Sequence, residues 1–301
     1  MKTNAKSYSC LLALTLFASV GNAQDPSNSA AAPDKSQFNL FNPTPAAFLR
    51  EMTTDGPGAT ESAYTVDAGH FQIEMSFIDY TSVRQTFQDE EFLEDFTYHL
   101  DWLAIAPFNL RIGLLNSLEV QLVLEPYNQV YEREDEGDST KQRGFGNTTV
   151  RLKYNVWGND HGRTALALTP FVRIPTSQDG IGSDIVEYGV AIPFAAELPW
   201  DFFLGLTSRF VSAQDILGGK GRHTDFANSI DLTHQIIGDL DGYIEFFSNV
   251  STEEGVGWVG TFDTGLIYWL TDNLQLNAGV NIGVTEWADD WRAFAGIAWR
   301  F

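Results

Sequence analysis

From Ala68 to the carboxy terminus the sequence alternates apolar and polar residues with a period of two. That is the signature of strands with two unlike faces. Thr97 to Leu114 shows it at length: Tyr98, Leu100, Trp102, Ala104, Ala106, Phe108, Leu110, Ile112 and Leu114 fall on one side, and His99, Asp101, Asn109 and Arg111 on the other. Leu274, Leu276, Ala278, Val280, Ile282 and Val284 stand likewise against Gln275, Asn277 and Asn281. The segments read as strands are Ala68 to Asp79, Thr97 to Leu114, Leu118 to Val130, Gly146 to Val156, Arg163 to Ile174 and Ile185 to Leu198. Asp201 to Ser212, Phe226 to Ile237, Leu240 to Val250, Trp258 to Leu270, Asn273 to Thr285 and a closing strand from Asp290 follow.

The closing strand, Asp290 to Phe301, carries Trp291, Ala293, Ala295, Ile297, Trp299 and Phe301 on one side and Arg292, Gly296, Ala298 and Arg300 on the other. Aromatic residues at both ends of one face suit a strand crossing a bilayer, where rings settle at the two interfaces. Ile297, Trp299 and the terminal Phe301 also resemble the signal by which bacterial outer-membrane barrels are recognised for insertion.

The amino terminus fits export. Lys2 and Lys6 precede the apolar run Leu11 to Val20 and the small residues Gly21 and Ala23, the layout of a secretory signal spanning residues 1–23. Its removal takes away Cys10, the one cysteine, and so excludes disulfides and thiolate metal sites. It leaves 16 basic against 40 acidic residues and moves the formal net charge from -22 to -24, a poor balance for nucleic acid. No later stretch approaches the roughly 18 apolar residues of a membrane helix. A membrane-spanning mature chain must therefore close its strands into a barrel.

The expected fold is all-β: a transmembrane antiparallel up-and-down barrel of about twelve strands over residues 68–301. A leader over residues 24–67 is rich in Pro, Ala, Asn and Ser. Within it Thr44 can cap a short helix from Pro45 to Met52, and this segment can either enter the barrel lumen as a plug or lie loosely in the periplasm. Links alternate in length: short at 115–117, 157–162, 199–200, 238–239 and 271–272, longer at 80–96, 131–145, 175–184 and 213–225, with shorter ones near Ser251 and Glu286. Outer-membrane barrels alternate short periplasmic turns with longer external loops in this way. A secreted β-sandwich is the soluble alternative.

The stretch from Leu49 to Met75, Gly144 to Tyr154 (Gly-Phe-Gly-Asn-Thr-Thr-Val-Arg-Leu-Lys-Tyr), Phe171 to Thr176, and Phe262 to Phe301 with its Ala288-Asp289-Asp290-Trp291 together resemble a transporter-like outer-membrane family named for the meta pathway of phenol degradation. At Asp55-Gly56-Pro57 the chain departs from relatives, which carry arginine between the acid and the proline. The resemblance implies an outer-membrane barrel passing small, aromatic or hydrophobic molecules, and it assigns no binding residues.

The inward face carries whatever selects a solute. The alternation assigns to it Asp101, Arg111, Glu119, Glu125, Arg151, Lys153 and Arg173, and in the second half Glu187, Arg209, Asp231, Glu245, Asp263 and Arg292. Opposed charges there can set a transverse field or simply pair and fill the space. No catalytic, cofactor or metal-binding residue is assigned. The residues two after each histidine are Gln, Asp, Arg, Asp and Ile, so the His-x-Ser of a barrel phospholipase is missing; His223 with Asp225 is a weak protease-like pair. The expected partners are outer-membrane lipid and lipopolysaccharide, the barrel assembly machinery and a small solute. The alternatives are an adhesive or structural barrel and, further off, an outer-membrane enzyme.

Overall fold

A computed structural model describes residues 34–56, 58–89, 94–134, 139–217 and 221–301. The signal segment expected at residues 1–23 lies outside the described residues. The ladder strands are β1 (Phe71–Asp89), β2 (Glu94–Ile105), β3 (Phe108–Leu115), β4 (Leu118–Leu124), β5 (Tyr127–Glu134), β6 (Ser139–Gly144) and β7 (Thr148–Trp157). They continue as β8 (Thr164–Ile174), β9 (Glu187–Glu197), β10 (Phe202–Gln214), β11 (Arg222–Ile237), β12 (Leu240–Ser251), β13 (Val259–Thr271), β14 (Leu274–Gly283) and β15 (Trp291–Arg300). Three pairs, β2 with β3, β4 with β5 and β6 with β7, are each one long stave with a break, so the sheet has twelve staves. Each stave runs antiparallel to its neighbours, and β15 returns to β1 from Gln72↔Arg300 to Ser82↔Trp291. Phe71 and Phe301 exchange both backbone hydrogen bonds at the seam. No sheet edge is left at that level, which is what lipid demands of strands.

Burial inverts the order of a soluble protein. On β7, Val150, Leu152, Tyr154 and Val156 are exposed, whereas Thr149, Lys153 and Asn155 are buried. Lipid offers polar groups no hydrogen-bond partner and does not expel alkyl ones, so the polar set faces the lumen and the apolar set faces out. Trp157, Trp200, Tyr268, Trp299 and Phe301 are exposed near the short-turn end, and Tyr188, Trp258, Trp287 and Trp291 near the long-loop end. The nine residues from Trp291 to Trp299 match the roughly 9–11 residues that a tilted strand needs to cross the apolar band between two aromatic girdles.

Three sequence-based expectations need correction. The first strand, expected to end at Asp79, runs to Asp89 and pairs with β2 out to Asp89↔Glu94, so most of the expected loop at 80–96 is ladder. Likewise β5 and β6 pair from Asn128↔Gly144 to Arg133↔Ser139, within the expected loop at 131–145. Residues 90–93 and 135–138, at the tips of these two hairpins in the sequence, lie outside the described residues. The helix expected from Pro45 to Met52 is a single 3-10 turn, Ala46–Phe48, and no side chain caps it.

The stave breaks explain a further difference. They fall side by side, at Ala106-Pro107, at Glu125-Pro126 and over 145–147. Proline has no N–H for the ladder, and Ala106 takes a positive φ of 54°, so alternation restarts in the other phase. Below the break the odd residues Arg111, Glu119, Gln121 and Lys153 are buried; above it the even residues Asn128 and Val130 are. Asp101 therefore lies on the opposite face from Arg111. It pairs with Ser82 in register and accepts hydrogen bonds from Tyr80 (2.7 Å) and Ser82 (3.0 Å).

Candidate functional site: the lumen and the leader that crosses it

The leader is fixed first at the short-turn end. Asn39 bridges to Leu115, and Leu40 N–H donates to the Leu114 carbonyl. Lys35 contacts Asp160 at 2.7 Å and Asp67 at 3.2 Å, and Arg50 binds Asn116 at 2.7 Å and Asp160 at 3.1 Å. Asp67 is fully buried and also accepts the Arg50 N–H at 2.9 Å. Arg300 of the closing strand donates to the Arg50 carbonyl at 2.8 Å, tying the barrel seam to the leader.

Beyond Arg50 the leader enters the barrel and is hydrogen-bonded to both sides of it. On one side Arg111 of β3 donates to the Thr53 carbonyl (3.0 Å) and the Tyr64 carbonyl (2.8 Å), and is itself held by Glu74 and Glu119, each at 2.9 Å. Lys153 of β7 binds Asp55 and the Ser62 carbonyl, Gln121 of β4 donates to Asp55 at 2.7 Å, and Asn155 donates to the Ala63 carbonyl at 2.7 Å. Glu74 accepts the N–H groups of Asp55 and Gly56. On the other side Glu245 of β12 accepts the N–H groups of Ala59 (2.8 Å) and Thr60 (2.9 Å). Thr60 donates to Ser229 of β11, and Glu61 N–H to Thr207 of β10. The stave of β4 and that of β12 lie six apart in a ring of twelve, so these contacts span the diameter.

Small residues let the leader come this close. Ala63 packs against Ala165 and Ala195, with Tyr64 and Phe203 flanking at a ring separation of 6.4 Å. A Cβ on Gly113 would sit 2.1 Å from the Asp67 carbonyl oxygen, so glycine alone allows the leader to lie on β3 there.

The crossing divides the lumen. A cavity of about 990 Å³ opens toward the short turns, lined among others by Leu49, Thr60, Phe203, Asp231, Tyr243, Ile267 and Trp269. A second, of about 570 Å³, lies toward the long loops, lined by Asp55, Arg151, Arg209, Phe247, Asp263, Asn281 and Arg292 among others. Gly58 and Glu61 line both, so the leader is the partition between them.

Charges are segregated between opposite walls of the barrel. Asp231, Glu245 and Asp263 are direct register neighbours on β11, β12 and β13. Arg111, Gln121 and Arg151 form the matching row on β3, β4 and β7. Glu61 ties to Arg151 at 3.0 Å and to Arg209. Arg292 makes a two-pronged bond to Asp79 and lies over Phe294 at 5.2 Å. Arg173 binds Glu187 at 2.8 Å, and Glu125 packs over Gly146 at a stave break. Burial works against the charged forms of Asp55 and Glu61. Arg111 and Lys153 nevertheless hold the Asp55 carboxyl well below its ordinary range, and Arg151 and Arg209 lower that of Glu61.

The leader's own acids, Asp55, Glu61 and Asp67, were not among the expected lumen residues. Lumen cations outnumbering local acids on β3 and β7 was the available signal, since buried charge seeks a partner. Asp79 was missed because it was placed at a strand end.

A family model described as "Putative MetA-pathway of phenol degradation" matches residues 54–301. The chain belongs to this family. The matched span starts inside the leader and takes in the whole barrel of this phenol-degradation family member, including Asp55 and Glu61. No curated protein matches the sequence. The chain is similar in fold to the COG4313 outer membrane channel from Pseudomonas putida F1, with 12% identity and a TM-score of 0.56 over 82% of this chain and 99% of that one. Weaker likenesses are to the NanC porin (10% identity, TM-score 0.45, 74% and 98% covered) and to the CymD monoaromatic hydrocarbon channel (8%, 0.42, 77% and 87%).

Proposed function

We propose that the protein is an outer-membrane channel for passive or facilitated passage of small molecules, aromatic or hydrophobic ones among them, and not an enzyme. The observation that carries this reading is the pair of cavities facing opposite ends of one barrel and separated by a non-barrel segment. Such a partition is held by hydrogen bonds and ion pairs, so it can shift without breaking the wall. The larger cavity mixes Phe203, Tyr243, Ile267 and Trp269 with Asp231, Gln275 and Thr60. That lining suits a solute with an apolar ring and a polar edge.

In this reading residues 1–23 direct export and residues 24–67 act as the plug. Barrel assembly machinery recognises Ile297, Trp299 and Phe301, and the outer belt meets lipid and lipopolysaccharide. The inward charges, including Arg151, Arg209 and Asp263, steer solute past the plug. The second reading is a structural or adhesive barrel. Planar-bilayer recordings of the refolded protein, beside a form lacking Gln24 to Glu61, separate the two. Stable unitary steps that grow in the shortened form are expected. A folded barrel silent in both forms would overturn the channel reading.

A further inference from the structure

Outside the lumen, one histidine is enclosed by carboxylates from three places in the chain. His223 opens β11 and is nine-tenths buried; Asp215 follows β10, Glu253 follows β12, and Asp225 lies two residues along β11. His223 Nδ1 is 3.2 Å from Asp215 Oδ1 and 3.3 Å from Glu253 Oε2. Its other nitrogen, Nε2, is 3.3 Å from Asp225 Oδ1, an oxygen shut off from solvent.

Hydrogen bonding satisfies this arrangement only in part: Nδ1 pairs with Asp215 at 3.2 Å, while Asp225 Oδ1 is left with no partner among the described residues. Nδ1 carries at most one proton and faces two carboxylates. Even a doubly protonated ring leaves three negative charges against one positive. Arg222, the adjacent cation among the described residues, turns away to the carbonyls of Ser212 and Val186 and stacks on Tyr188 at 5.4 Å. Among the described residues this leaves a net charge of about -2 in a half-buried pocket, which a divalent cation offsets.

We propose that Asp215, His223 and Glu253 form a transition-metal site, for Zn²⁺ or a similar divalent ion, that joins the β10–β11 connection to the β12–β13 connection. Nδ1, Asp215 Oδ1 and Glu253 Oε2 all lie within 4.8 Å of one another. Bonds of about 2.0–2.1 Å in a tetrahedron put neighbouring ligand atoms about 3.3 Å apart, which the two Nδ1 distances match. With Nδ1 on the metal the ring proton is left on Nε2, 3.3 Å from Asp225 Oδ1, an oxygen that has no hydrogen-bond partner among the described residues and can complete a carboxylate–histidine–metal relay. Glu253 is held in place by the N–H groups of Ile216 (3.0 Å) and Leu217 (2.8 Å), so the ligand from the second connection is oriented in advance. An imidazole with two carboxylates favours zinc over calcium or magnesium, which take oxygen alone.

The test is calorimetric titration of Zn²⁺ into the untagged, refolded, chelator-treated full chain in detergent, repeated with His223→Ala, Asp215→Asn and Asp225→Asn. One Zn²⁺ per chain is expected, unmoved by millimolar Ca²⁺. Affinity should fall at least about 100-fold in His223→Ala or Asp215→Asn, and about 10–100-fold in Asp225→Asn. Heat-modifiable migration on gels checks that each barrel has folded, and Asp215→Asn carries the test if His223→Ala has not. Absence of stoichiometric binding, equal affinity in the folded variants (an adventitious surface ion only), or displacement by Ca²⁺ would each overturn the site.

Discussion

Asp55 is the residue on which the partition turns. Its carboxylate holds Lys153 and Gln121, accepts the Ser62 N–H at 3.1 Å, and lies 3.6 Å from Arg111. Replacing Lys153 by methionine leaves a buried acid short of its nearest cation, and removing one partner of such a pair costs about 3–5 kcal/mol. The barrel ladder does not depend on Lys153. Hydrogen exchange should therefore speed up at residues 58–66 in Lys153→Met while the strand amides stay protected; unchanged protection of the leader would contradict the assignment. Acid acts on the same contacts with a defined sign. Both Asp55 and Glu61 have lowered folded-state pKa values, so the stabilisation they lend is fully present above the ordinary carboxyl value of about 4 and is lost only as pH falls through the lowered value. The leader should stay docked between pH 7 and pH 5, with hydrogen-exchange protection factors at residues 58–66 unchanged across that range. Release within that window would show that other groups control it.

At the scale of elements, the leader and β3 meet through the gap left by Gly113. A valine there has nowhere to go, because its Cβ would lie 2.1 Å from the Asp67 carbonyl oxygen and 2.6 Å from that of Val66. Gly113→Val should expel residues 65–67 from the strand and enlarge the conductance toward that of the leader deletion; a variant with native unitary steps would refute this. The staves show how far alternation can be trusted. It located β7 to β15 within a few residues, because each is read in one phase from end to end, whereas the strand expected from Leu118 to Val130 ran through the break after β4. It failed at Asp101, where the proline-bearing break reverses the phase: the Tyr98-to-Leu114 stretch looks continuous only because alanine and proline are nearly neutral in the apolar pattern.

Across the whole molecule the lumen carries an acid row on β11 to β13 facing a basic row on β3 to β7. Water between such rows is oriented, and a mobile cation is favoured beside the unpaired side of the acids. The basic row is largely engaged by Glu119, Glu74, Asp55 and Glu61, whereas the acids keep fewer cationic partners. Wild-type channels should accordingly be cation-selective, and Asp231→Asn with Asp263→Asn should move the reversal potential toward that of a neutral pore. Anion selectivity in the wild type would refute the reading. What the sequence determined by itself was the closed all-β wall. Side-chain polarity in alternate positions admits one arrangement that keeps apolar atoms in lipid and every ladder hydrogen bond inside the chain. The inward position of Arg111, Glu119, Lys153 and Glu245 follows from the same local rule. Only the tertiary structure decided where the leader goes and which charges it takes. Those contacts join residues from 18 positions apart, as in Gly56 with Glu74, to 250, as in Arg50 with Arg300. A leader without periodicity carries no local signal of which wall it will meet.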